Sequence, residues 1–292
     1  MADHHLSRRE FVLTTAAMLS PEAFPRTTRI DLTAQQVADR IRASAGVPWR
    51  DKTVDGFRAG DPATPVTGIA ATVMATLATL RQAASAGRNM VIVMEPTFYT
   101  PTDDGGNRAD DPMYVEKKAF IEGHRMVVWR FGDHWNARQP NEPARALADA
   151  LGWSAYRGNE TDTYTVPETT VGALAAHARS RLNVRGGLRV VGRPDLRVRT
   201  VAVVAGGVDM ATAVAKLARA DVLVVGEPRE WEAVPYALDT RSGGTEKALV
   251  AVGRIVSEEP GVRVCADWIR SLVKEVPVEA LAIGDPYWSP RP

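Results

Sequence analysis

Short runs of apolar, β-branched residues alternate along the chain with segments whose apolar positions recur every three or four residues. The first pattern predicts strands and the second predicts amphipathic helices. A capping signal opens the series. Thr33 stands three residues before Gln36, so each side chain can satisfy the other's backbone N–H, and a helix is expected over 34–44. Strands are predicted at 66–73, 89–93 and 126–131. The intervening helices are 75–86, closed by Gly87, then 115–122, then 144–151, ended by Gly152. The second half repeats the rhythm, with helices at 169–182, 210–219 and 260–273 and strands at 188–191, 198–205, 222–225, 248–252 and 280–283. Strands separated by helices specify an α/β fold, and each half carries enough of them for its own sheet. The connector 156–167 is the internal boundary, which gives lobes of about 32–155 and 168–292.

Composition narrows the partners. The chain has 292 residues, enough for two modest lobes with real cores. Thirty-six basic residues against 35 acidic ones leave a net charge of +1, so no global field draws it to nucleic acid or to an anionic membrane. Nothing past the N-terminus reaches the ~18 apolar residues that span a bilayer. A single cysteine, Cys265, excludes an intrachain disulfide and a Cys-based zinc cluster, and it reads as a small buried apolar side chain. At the N-terminus, Ser7-Arg8-Arg9-Glu10-Phe11-Val12-Leu13 and the short apolar run 11–19 resemble a twin-arginine export signal. Residues 1–31 are therefore expected to be that signal or a disordered extension. The first reading puts the protein in the periplasm or outside the cell, the second in the cytoplasm.

Ligands of α/β sheets gather at the carboxyl ends of strands. Four predicted strand ends deliver acidic residues there. They are Met94-Glu95-Pro96-Thr97-Phe98-Tyr99, Phe131-Gly132-Asp133-His134-Trp135-Asn136, Gly226-Glu227-Pro228-Arg229-Glu230-Trp231-Glu232, and Gly253-Arg254-Ile255-Val256-Ser257-Glu258-Glu259. Carboxylates that converge in this way repel one another and need a metal, bound protons or a cationic partner.

These segments resemble those of the NIF-three-like dinuclear-metal family, also called the GTP cyclohydrolase 1 type 2 family, and in particular an exported twin-arginine branch of it. The resemblance implies two interlinked α/β lobes with mixed sheets and a cleft between them. It also implies one or two divalent transition-metal ions (Zn, Mn or Fe) in that cleft and a homo-oligomer, a hexameric ring. The metal candidates it gives are Glu95, Asp133, His134 and Glu258. Strand parity decides which of Asp133 and His134 would ligate. Glu227 and Glu230 are the catalytic candidates of a metal-dependent hydrolase, with Glu95 as another base, and Met94, Arg254, Tyr99 and Trp135 complete the cleft.

The departures from the family pattern matter as much. Met94, Gly132, Asn136 and Arg254 stand where the branch carries histidines. A thioether is a poor ligand for such ions, glycine offers none, and arginine stays protonated. Two readings follow: a degraded site that still binds metal weakly, or a metal-free, non-catalytic binding or scaffold protein in which Arg254 replaces the metal's charge.

Other features carry two readings each. Ala205-Gly206-Gly207-Val208 joins a strand to a helix as an anion-holding turn or an ordinary one. Trp129, Trp135, Trp231 and Trp288 wall a pocket for a flat or sugar-like ring, or sit half-buried between lobes. Asp103-Asp104 and Asp110-Asp111 flank Gly105-Gly106 as a solvated loop or a lid over the cleft. His124 and His177 are surface or core residues.

Overall fold

The chain starts with α1 (Ala34–Ser44), β1 (Gly56–Ala59), β2 (Ile69–Thr72), α2 (Leu77–Ser85), β3 (Met90–Val93) and α3 (Pro112–Gly123). It continues through β4 (Val127–Arg130), α4 (Asp133–Ala137), α5 (Glu142–Ala150), β5 (Thr163–Thr170), α6 (Val171–Arg181) and β6 (Arg189–Val191). The last part holds β7 (Arg197–Val208), α7 (Met210–Leu217), β8 (Val222–Pro228), α8 (Ala233–Ser242), β9 (Ala248–Ala251), α9 (Arg254–Leu272) and β10 (Val278–Ala280). The structure, a computed structural model, describes residues 32–104, 110–158 and 162–290. The twin-arginine-like segment and Gly105-Gly106 lie outside them. No helix among the described residues is long and apolar enough to cross a membrane.

Two five-stranded mixed sheets form, with orders β1-β4-β3-β2-β10 and β5-β7-β8-β9-β6. In the first, β4, β3, β2 and β10 run parallel and β1 is antiparallel at the edge. In the second, β7, β8 and β9 run parallel between antiparallel β5 and β6. The central strands are buried on both faces, which is why Met-Val-Ile-Val in β3 and Val-Leu-Val-Val in β8 read as unbroken apolar runs. Side chains alternate between faces. Ile69, Met90, Ile92 and Trp129 pack under α1 and α9, whereas Ala70, Val91, Val93 and Val128 face α2 and α3. The second sheet does the same, with Val201, Val222 and Val250 toward α5 and α6 and Ala202, Leu223 and Leu249 toward α7 and α8.

The capping box at α1 forms as predicted. Thr33 Oγ1 accepts from the Gln36 N–H at 3.2 Å, and Gln36 Oε1 accepts from the Thr33 N–H at 2.9 Å. Elsewhere the structure extends or corrects the sequence pattern. The connector 156–167 contains most of β5, and β1, α4 and α8 are additional elements. The last helix starts at Arg254, with Pro260 in its interior rather than at its first turn. The last strand lies at Val278–Ala280, slightly earlier than expected. Residues 205–208 are not a turn at all but the end of β7.

Strand β10 returns from the C-terminus to the first sheet, and α9 links the two. Its first residues follow β9 of the second sheet, while Cys265, Ala266 and Ile269 lie in the core beneath the first. Cys265 is fully buried, and burial pushes its thiol pKa well above the usual range, as expected of an apolar packing residue.

Candidate functional site

One strand of the first sheet, two of the second and one helix converge on a single cluster. β3 leads into Met94-Glu95, β8 carries Gly226-Glu227, and β9 leads through Gly253, at φ +97°, into Arg254 at the start of α9. Glu258 lies four residues further on, hence on the same helix face as Arg254. The Arg254 guanidinium bridges two carboxylates. Its Nε donates to Glu227 Oε2 at 2.7 Å, and its Nη1 donates to Glu95 Oε1. A second cation, Arg130, stands with Nη2 4.0 Å from Glu95 Oε2.

Glu258 is only 7% exposed, and its carboxyl is hydrogen-bonded to that of Glu95. Burial, then the neighbouring Glu95 charge, hold its carboxyl well above the usual carboxylate range, while Arg254 pulls the other way. For Arg254, burial works to lower the pKa, but Glu95, Glu227 and Glu258 more than offset it and the net shift is upward.

Glycines make room for this cluster. A Cβ at Gly206 would overlap Glu258 Oε1, one at Gly207 would overlap the Arg254 Nη2, and one at Gly226 would overlap Ser257 Oγ. Ser257 Oγ in turn accepts from the Gly206 N–H at 2.9 Å and donates to the Arg254 carbonyl at 2.7 Å. The Gly206-Gly207 pair thus serves side-chain packing rather than an anion-holding turn.

Asp133 and His134 are not part of the cluster. Beyond β4 the chain turns into α4, whose N-terminal amides point at Asp55. That carboxylate accepts from the N–H groups of Gly132 (2.7 Å), Asp133 (3.0 Å) and His134 (2.8 Å). It also takes His134 Nδ1 at 2.7 Å, while His134 Nε2 accepts from the Arg50 N–H at 3.0 Å. Both ring nitrogens are committed, the ring is stacked on Trp49 at 3.7 Å, and the side chain is fully buried. Asp133 accepts from Thr53 Oγ1 at 2.8 Å and lies 3.3 Å from Arg50 Nη2. His134 holds the fold together, and Asp55, which the strand-end search does not reach, is its partner.

The remaining candidates divide. Met94 and Trp135 are buried in the first core. Gly132 tolerates no side chain, because a Cβ would overlap the Met94 carbonyl oxygen. Two of the four positions compared with histidines therefore do not open onto the cluster. Asn136, by contrast, lines the cavity beside Glu95. Tyr99, at φ +67°, places its ring 4.1 Å from Lys117 Nζ. Lys117 is buried, donates to the Thr97 carbonyl at 2.7 Å, and is lowered by burial to a pKa of about 8. Asp103 is not solvated; its Oδ1 accepts from the N–H groups of Thr97 and Phe98 and so fixes the segment after Glu95. Glu230 pairs with Arg189 at the rim. Trp129 and Trp135 belong to the core, whereas Trp231 and Trp288 are exposed. His124 and His177 lie at the surface.

Two cavities, of about 470 and 710 Å³, meet at Arg254, Glu227 and Arg189 and form one cleft. Among the described residues no group of three or more His, Cys, Asp or Glu side chains is arranged to hold a metal ion. The cleft floor is a guanidinium between carboxylates.

Solved structures share this fold. Staphylococcus aureus protein SA1388 matches with a TM-score of 0.69 at 17% identity, over 89% of this chain and 100% of its own. A Bacillus cereus protein related to NIF3 matches at 0.68 and 17%, over 88% and 99%. The protein ybgI, of unknown function, matches at 0.67 and 19%, over 87% and 99%. No curated protein matches the chain in sequence. The family description Duf34/NIF3 (NGG1p interacting factor 3) matches residues 49–286. With four-fifths of its length matched and the two-sheet fold shared, the chain belongs to the Duf34/NIF3 family.

Proposed function

We propose that this protein is a metal-free, non-catalytic binding member of the family, with Arg254 in the place of the metal charge. The observation that carries this reading is the Arg254 bridge between Glu95 and Glu227, with Glu258 behind it. A metal pair needs deprotonated donors with free lone pairs. Here two carboxylates are engaged by a guanidinium that does not release its proton, the third is biased toward its neutral form, and His134 is spent on Asp55 and Arg50. The donor set does not fit two metal ions. A cation that is part of the chain supplies a fixed charge at fixed geometry, which suits recognition more than activation of water.

Elemental analysis of the untagged protein tests this, before and after incubation with manganese, iron and zinc. The expected result is no stoichiometric metal in either sample. Close to one equivalent of a transition metal that disappears in Glu258→Gln would overturn the reading and restore the metal-dependent hydrolase.

A further inference from the structure

We propose that the cleft binds a hydroxylated ring, a sugar or a sugar-bearing ligand, between an aromatic rim and the guanidinium–carboxylate floor. The proposal rests on the metal-free reading, because metal ions would claim the same carboxylates.

The rim is the first support. Among the described residues, the three most exposed aromatic side chains are Trp231 (77%), Trp288 (75%) and Tyr287 (68%), and all three line the cleft. Large aromatic surface left in water around one concavity marks a place where something else covers it. The wall that carries two of them is pinned. Asp285 is 9% exposed, and its Oδ2 accepts from the N–H groups of Arg185 and Gly186, both at 2.7 Å. Gly186 lies so close to Tyr287 that a Cβ there would overlap the tyrosine's own. Ser289 Oγ donates to the Gly186 carbonyl at 2.7 Å. The backbone that carries Tyr287 and Trp288 is thus fixed before any ligand arrives, which lowers the ordering cost of binding.

The floor is the second support. Glu258 lines the larger cavity but is more than nine-tenths buried and hydrogen-bonded to Glu95, so it backs the groups a ligand would meet, the Glu95 and Glu227 carboxylates and the Arg254 guanidinium.

Charge then selects the ligand class. Arg189, Arg229 and Arg254 face the same cavity as Glu95, Glu227 and Glu230, so neither a bare anion nor a bare cation meets a field of one sign. A hydroxyl donates to carboxylates and accepts from guanidinium groups, and several hydroxyls on one ring use both. The apolar C–H face of such a ring packs on Trp, and each of the two cavities lies in the size range of small-molecule sites.

The test is a titration followed by tryptophan fluorescence and saturation-transfer NMR, with cellobiose and chitobiose in one arm and adenosine and guanosine in the other. Saturable binding of a disaccharide, weakened about tenfold or more by both Trp231→Ala and Trp288→Ala and unchanged by Tyr156→Ala, supports the proposal. The same pattern with the nucleosides alone also supports it and assigns the ring to ribose. Both tryptophans are surface residues, so these variants keep the fold. No saturable binding of any probe, or binding indifferent to both Trp substitutions, overturns it. Metal content stays a separate readout: a metal-free protein that binds no probe sinks this proposal alone, whereas bound metal sinks the reading beneath it.

Discussion

Removing the Arg254 guanidinium should destabilise the protein in a pH-dependent way. In Arg254→Ala, Glu95 and Glu227 lose their shared partner, and Glu258 loses the charge that draws its pKa down. The Glu227 side chain is 56% exposed, so that pair contributes only ~0–1 kcal/mol. The Glu95 side chain is 14% exposed, and stripping the partner from a buried pair costs about 3–5 kcal/mol. Arg254 is itself 32% exposed and Arg130 stays 4.0 Å from Glu95, so the cost here falls to about 2–3 kcal/mol. In a domain of this size that lowers Tm by roughly 5–10 °C at pH 8. The sign with pH follows from Glu258. Its folded-state pKa is raised, so its contribution to stability is present in full below the ordinary carboxylate range and is lost as pH rises through the folded value. Arg254 limits that loss, and the variant loses more. Thermal melts by circular dichroism from pH 4.5 to 8 should therefore show a gap that widens with pH. A variant that melts with the native protein at pH 8, or a gap of constant size, refutes the reasoning.

Three further outcomes are expected. Gly206→Ala forces a Cβ against Glu258 at φ +74° and should cost about 1–3 kcal/mol in urea unfolding, more than Gly87→Ala, where φ is +71° but no atom lies within 4 Å. Lys117 titrates near pH 8 in the folded protein, so native stability relative to Lys117→Met should rise between about pH 8 and 10, by at most ~1.4 kcal/mol per pH unit. A pH-independent difference in paired urea melts would contradict this. Asp55→Ala removes the acceptor for three α4 amides and His134 Nδ1, and should cost about 3 kcal/mol or more, read as a lowered urea midpoint at unchanged slope.

The α/β rhythm was legible because β3, β8 and β9 are buried runs bounded by glycines and caps, signals that lie within a few residues of one another. Glu95, Glu227, Arg254 and Glu258 were reachable for a geometric reason: parallel strands aim their carboxyl ends at one edge, so counting past each strand reaches the cleft. The same counting failed at Asp133 and His134, because the direction of the chain after β4 is set by Asp55, some 79 residues away. No local pattern announces that pairing. The stretch 156–167, rich in Tyr, Thr and Asp, reads as a connector, yet most of β5 lies in it, and at the sheet edge that β5 occupies Pro167 is tolerated. Trp135 and Trp231 look alike in sequence. One is packed by Phe131 and Trp268 and the other is 77% exposed, a difference made by tertiary neighbours alone.

The return of β10 to the first sheet sets an order on biosynthesis. β2 leaves the ribosome early, but its outer edge is paired by β10, and one face of its sheet is covered by α9 together with α1. At ~5–20 residues per second, roughly 10–40 s separate the two strands. During that interval a nascent chain carries an unpaired strand edge and a half-covered apolar face, which is the form in which neighbouring chains associate. A premature stop before α9 would therefore yield an aggregating fragment rather than a smaller folded domain, and holding chaperones should engage this protein most strongly in the middle of its synthesis.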